Sequence, residues 1–141
     1  MAHAEQAALS KALAQWEEVY KRGLLTFWML LLLSQREMYA YEMRPSIADI
    51  SQQTIDVDDN SIYRALKRFA EAGFVRSDVR ASETGPPRRY FTLTPAGRAL
   101  LASFIERNLL VFQSPAVAES IQRVMNMENK NDGDNDGNKT G

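Results

Sequence analysis

Residues 60–74 read Asn-Ser-Ile-Tyr-Arg-Ala-Leu-Lys-Arg-Phe-Ala-Glu-Ala-Gly-Phe. Ile62, Ala65, Leu66 and Phe69 recur at the i, i+3, i+4, i+7 spacing of one helical face. Arg64, Lys67 and Arg68 occupy the other face, with Ser61 and Tyr63 in the first turn. Asp58, Asp59, Asn60 and Ser61 all favour a helix N-terminus, because their short side-chain oxygens accept bonds from free backbone N–H groups. Gly73 supplies the stop, since glycine takes the left-handed conformation that helix ends often need. A short helix, apolar beneath and basic above, can enter a DNA major groove. On its own the pattern more often belongs to a solvated surface helix, so the neighbouring segments decide.

Those segments have strand character. Residues 74–81 and 88–94 carry the β-branched and aromatic content of strands, and the second alternates polar with apolar. Ser-Glu-Thr-Gly-Pro-Pro lies between them as a breaker-rich connector. The pair reads as a hairpin whose tip and return carry Gly85, Pro86, Pro87, Arg88 and Arg89. A helix-turn-helix followed by such a hairpin is a winged helix. Between Asn60 and Arg98 stand eight basic residues against three acidic ones, in a chain whose net charge is −1. This local excess, rather than the total charge, is the footprint of a phosphate-binding surface.

At 141 residues the chain suffices for one domain with extensions and a real core. It is 45% hydrophobic and 25% charged, ordinary values for a globular protein. There are no cysteines, hence no disulfide framework, thiolate nucleophile or thiolate metal site. The first residues lack the basic-then-apolar pattern of a signal peptide. The densest apolar run, residues 24–33, falls well short of the roughly twenty residues a membrane helix needs, and is read as a buried core helix. The expected location is the cytoplasm.

Residues 4–21 are rich in helix formers, and Leu9, Leu13, Trp16 and Tyr20 form one apolar stripe. Either the body of the chain or a second subunit can cover that stripe. Gly23 is expected to separate this helix from a second, residues 24–35, which is apolar nearly all round. Trp28 in its middle is either plain core or an aromatic wall for a flat ligand between subunits. Residues 36–39 read as a connector, and residues 40–53 as a third helix that begins near Arg44 or kinks at Pro45. Residues 54–59 are then the turn. Thr94 is a good N-cap with Pro95 at the first helical position, opening a helix to about Phe112. Ser114-Pro115 repeats that start for a last amphipathic helix to about Met127. A small core cannot cover these long terminal helices, and a two-fold dimer is the economical way to bury them. Residues 129–141 hold no apolar side chain and are expected to be disordered. The expected organisation is an N-terminal amphipathic helix (1–22), a winged helix-turn-helix (23–94), dimerisation helices (95–128) and a tail (129–141).

In order and spacing these pieces resemble the PadR family of transcriptional regulators. The resemblance rests on Leu30-Leu31-Leu32-Leu33, Tyr39-Ala40-Tyr41-Glu42-Met43, residues 61–69, Gly73-Phe74-Val75, residues 85–90 and Leu93-Thr94-Pro95-Ala96-Gly97, and covers about residues 23–105. It implies a mainly α winged helix with one small β-hairpin and extra terminal helices that form a dimer. It implies a repressor that binds a palindromic operator as a homodimer. Its DNA contacts would come from the recognition helix (about 59–73), including the tyrosine matching Tyr63, and from a basic wing (about 75–94). In some members of that family a phenolic or drug-like aromatic compound releases the DNA, which makes a small aromatic effector a candidate here. Two positions depart from the pattern. The family usually has glycine where Ala40 stands, and small neutral residues where this chain has Asp56, Asp58 and Asp59.

The leading expectation is thus a DNA-binding regulator. Arg64, Lys67 and Arg68 would contact phosphates or guanine edges, Asn60, Ser61 and Tyr63 backbone or bases, and Arg88 and Arg89 phosphate or the minor groove. The bland alternatives are a packing role for Tyr63 and a solvated wing for the two arginines. Trp16, Trp28, Phe104 and Phe112 are the candidate residues for an aromatic effector, and would serve equally as core. The rival reading is a winged-helix protein-interaction module, favoured by the aspartates ahead of the recognition helix. An enzyme is disfavoured: His3 is the lone histidine, with no cysteine and no glycine-rich phosphate loop. No cofactor is expected. The aspartates at 56, 58 and 59 are read as N-capping rather than a metal site, because no further carboxylate ligands are spaced around them.

Overall fold

A computed structural model of the chain describes residues 2–136. The elements run α1 (His3–Gln35), β1 (Met38–Tyr39), α2 (Ala40–Ile50), α3 (Asp59–Ala72), β2 (Val75–Ser82), β3 (Gly85–Leu93), α4 (Pro95–Phe104) and α5 (Pro115–Asp136). The chain divides between Leu101 and Ala102 into two compact units.

The fold follows the hydrophobic pattern of α3. Ile62, Ala65, Leu66 and Phe69 are all buried, at 0, 2, 0 and 8% exposure. Around them in the same core lie Met29, Leu30, Met38, Met43, Ile47, Val75 and Phe91. Asp58 caps the N-terminus of α3 by accepting the Ser61 amide at 2.7 Å, and Gly73 ends the helix at φ +84°. The three-stranded antiparallel sheet has the order β1-β3-β2. Pro86 and Pro87 fit in β3 because the β2–β3 register slips beyond Arg80↔Arg88, next to the Ser82↔Gly85 pair. Proline lacks a ladder donor and is tolerated at such irregularities.

Several expected boundaries are moved. α1 is one helix through Gly23, whose Cα faces open space. A helical glycine costs only about 1 kcal/mol relative to alanine, which the flanking helix formers outweigh. The expected segments 1–22 and 23–94 therefore meet inside a single helix. α2 begins at Ala40 rather than near Arg44, and continues through Pro45. It ends at Ile50, because Gln52 and Gln53 take left-handed φ values of 55° and 64°. Buried Ser51 holds that turn, donating its hydroxyl to the Ala48 carbonyl and accepting the Ile55 amide. Residues 38–39, read as connector, pair with β3 as the short strand β1.

Thr94 caps α4, accepting the Gly97 amide at 3.0 Å while donating to the Gly73 carbonyl at 2.7 Å. α4 stops at Phe104 instead of reaching Phe112; a π-turn (Ile105–Leu109) and a 3-10 turn (Leu110–Gln113) follow. Ser114 does precede the next helix, but its hydroxyl donates backward to the Val111 carbonyl. α5 runs to Asp136, through much of the stretch expected to be disordered. The remainder of that stretch, residues 137–141, lies outside the described residues. No helix among the described residues is long and apolar enough to cross a membrane.

Candidate nucleic-acid interface

The start of α3 and the wing enclose a groove of about 550 Å³. Asp59, Asn60 and Tyr63 line it from the recognition helix, Pro86 to Arg89 from β3, and Tyr39, Ala40 and Tyr41 from the β1–α2 junction. Residues 60, 63 and 67 follow helical spacing, so Asn60 and Tyr63 share the face that continues to Lys67. Tyr63 is 51% exposed, leaving about half of its surface open to the groove. Lys67 and Arg68 are exposed and make no ion pair among the described residues.

The wing is fastened by a run of alternating cations and rings. Arg88 lies 4.5 Å over the Tyr39 ring, Tyr39 meets Tyr90 edge-on at 5.6 Å, and Arg80 lies 4.6 Å over Tyr90. Arg80 then donates both terminal nitrogens to Glu37, at 2.5 and 2.7 Å, and its Nε to Asp78 at 3.2 Å. The bidentate bond from Arg80 holds the Glu37 carboxyl below its ordinary range, and the same contacts push the Arg80 guanidinium upward. Arg80 is therefore neutralised locally and contributes little to the phosphate-facing excess counted in the sequence. Arg89 donates to the Ser77 hydroxyl at 3.1 Å, on the neighbouring strand.

The aspartates ahead of α3 have separate tasks. Asp56 receives Arg44 through two bonds, at 3.1 and 3.3 Å, which raises the Arg44 pKa. Asp58 is the cap; the Ser61 amide and then the Ser61 hydroxyl lower its pKa. Neither carboxylate is an unpaired charge aimed at a ligand. Asp59 differs: it lines the groove and has no hydrogen bond or ion pair among the described residues. No group of metal-binding side chains forms among the described residues.

The structure thus brings together Asn60, Tyr63, Arg88 and Arg89, with Arg64, Lys67 and Arg68 exposed on the same helix. Ser61 is drawn aside into the cap, where its hydroxyl donates to Asp58 at 3.1 Å and accepts from Arg64 at 3.3 Å. Tyr39, Tyr41 and the Glu37–Arg80 clasp belong to the site but were not singled out in the sequence. For Tyr39 and Glu37 no local signal marks the role, because their partners Arg88, Tyr90 and Arg80 lie more than forty residues away on the wing.

The four candidate effector residues are not part of this groove. Trp16 is 75% exposed and Phe112 is 53% exposed. Trp16 and Trp28 lie on one continuous helix, about 18 Å apart along its axis, too far to line one small cavity from the same chain. Trp28 packs against Phe27 with ring centroids 5.1 Å apart, and its indole N–H is buried without a hydrogen-bond partner among the described residues. Phe104 and Phe112 fall in the second compact unit.

Comparison with known proteins agrees with this architecture. Residues 29–103, more than half of the chain, match the transcriptional regulator PadR-like family. A transcriptional regulator from Thermoplasma acidophilum superposes with a TM-score of 0.58 at 28% identity, over 68% of this chain and 89% of that one. A transcriptional regulator from Clostridium thermocellum gives 0.58 at 25% identity, over 65% and 89%. Bacillus subtilis PadR, solved in complex with operator DNA, gives 0.54 at 23% identity; the match spans 58% of this chain and 46% of that one, and shows likeness of fold. With a family match over most of the winged helix and the same fold in these structures, the chain belongs to the PadR-like family of transcriptional regulators, whose members are not enzymes.

Proposed function

We propose that the protein binds operator DNA through α3 and the wing and represses transcription as a homodimer. The observation that carries this reading is the groove lined together by Asn60 and Tyr63 of α3 and by Arg88 and Arg89 of the wing. The first turn of a recognition helix reaches base edges in the major groove, while basic side chains on either side meet phosphates. The operator complex of Bacillus subtilis PadR supports the same use of the fold here. A duplex approaching the wing would draw Arg88 off the Tyr39 ring, exchanging an exposed cation–π contact for a charge-assisted bond to phosphate. Such a regulator works where the DNA is, in the cytoplasm.

Homodimerisation is supported by the apolar side chains that α1 and α5 leave open. Leu9, Trp16, Val19 and Tyr20 on α1, and Ile121, Val124 and Met125 on α5, are all more than two-fifths exposed. A two-fold partner covers such faces, and a dimer matches a palindromic site. Release by a small aromatic effector finds support in Trp28, whose buried indole N–H has no acceptor among the described residues. The aspartates no longer favour an interaction module, since Asp56 and Asp58 are engaged within the chain.

Fluorescence anisotropy with the DNA upstream of the protein's own reading frame tests the reading. At two salt concentrations the native duplex should bind far more tightly than a scrambled one, and binding should weaken steeply with salt. The double variant Arg88→Ala, Arg89→Ala should bind every sequence more weakly, with a salt slope lower by about two phosphate contacts. An unchanged slope would remove the wing from the interface.

A further inference from the structure

Three carboxylates precede or open the recognition helix, and the structure gives two of them intramolecular partners. Asp59 is the exception. It is the first residue of α3, half-buried on the wall of the groove that Asn60, Tyr63, Arg88 and Arg89 also line. It does not cap the helix, since Asp58 does that. It does not pair with Arg44, whose guanidinium is held by Asp56 and senses Asp59 only as a more distant charge. A carboxylate in the first turn suits the helix dipole. Facing a duplex, however, it repels phosphate and every acceptor edge, and one class of base edge rewards it: the exocyclic amino group in the major groove.

Resting on the reading of this groove as the DNA interface, we infer that Asp59 is a specificity-determining residue that accepts a hydrogen bond from the N4 amino group of a cytosine. Thymine offers an acceptor and a methyl group at the corresponding place, guanine offers two acceptors, and adenine sets its N6 amino group beside the N7 acceptor, which repels a carboxylate, so cytosine is preferred to all three. Arg88 and Arg89, which line the same groove, supply the phosphate attraction that keeps a carboxylate tolerable there. Asp59 therefore narrows the choice of site while lowering affinity for DNA in general.

The test is selection of bound duplexes from a randomised library by the full chain, with Asp59→Ala and Asp59→Asn alongside. The wild-type chain should enrich sequences with a cytosine fixed at one position, preferred about tenfold or more over thymine. Asp59→Ala should lose the preference at that position alone and bind scrambled DNA more tightly. Asp59→Asn should shift the preference to adenine, whose N6 and N7 edge suits an amide bidentately. Because the cap is Asp58, both variants should keep the wild-type circular dichroism spectrum. One consensus shared by all three proteins would overturn the role of Asp59 while leaving operator binding intact. A wild-type chain that enriches nothing would overturn operator binding itself, and this inference with it.

Discussion

The packed winged helix and the N-terminal half of α1 have similar apolar content but opposite surroundings. Leu30, Ile62 and Leu66 are 0–1% exposed, whereas Leu9, Trp16 and Val19 are 56–75% exposed. In the first region apolar stripes of several elements converge, so each side chain is covered within the chain. In the second a single helix projects with its stripe open. Amphipathic patterning thus predicts that a face will be buried, but not by which molecule. Four measurements separate the two cases.

The largest effect should come from the core. Leu66→Ala removes a fully buried side chain and should cost about 2–5 kcal/mol, read by chemical denaturation. A cost under about 1 kcal/mol would mean the core is far looser than its burial indicates. Next is Gly97→Ala, where an added Cβ would sit 2.0 Å from the Phe74 backbone carbonyl and 2.6 Å from a Leu93 methyl. Backbone must move to admit it, so a loss of about 1–3 kcal/mol is expected in the same assay.

The exposed stripe should behave otherwise. Replacing Trp16 and Val19 together by serine should leave the unfolding of the winged helix nearly unchanged when measured on dilute protein. It should instead shift sedimentation equilibrium toward monomer. If both proteins sediment identically, the open face of α1 is not a dimer face.

The smallest effect concerns the exposed carboxylates that orient the site. Glu37 and Asp58 are held below their ordinary values of 4.5 and 3.8. A depressed carboxyl contributes stability that is present above its unfolded value and is lost as pH falls through the folded one. The wing clasp and the α3 cap should therefore hold at neutral pH and loosen only on the acid side of those values. Carboxyl chemical shifts followed by NMR should titrate below the ordinary range for both residues. In Arg80→Ala the Glu37 midpoint should return toward it, and no return would mean the clasp is not what lowers it.

Much of the fold was legible because it rests on local rules. The buried face of α3, its cap and glycine stop, the hairpin and the Thr94-Pro95 start are each encoded within a few residues, and all are realised. Misread places had competing local signals. Gly23 and Pro45 look like breakers, but the glycine faces open space within α1, and α2 runs on through its proline with Met43 and Ile47 on either side held in the core. The strand β1 is too short to show a period, and exists because β3 lies alongside to pair with it.

By itself, the sequence determined the winged-helix pattern, the recognition helix and the local excess of positive charge, since spacing and turn chemistry act over one or two helical turns. Only the tertiary structure decided how those charges are used. Folding brings Glu37 onto Arg80 and so withdraws one cation from the surface, and sets Arg88 on Tyr39. It also engages Asp56 with Arg44 of the preceding helix while leaving Asp59 in the groove. A charge's partner is fixed by proximity in space, and for these residues that proximity arises across the chain rather than along it.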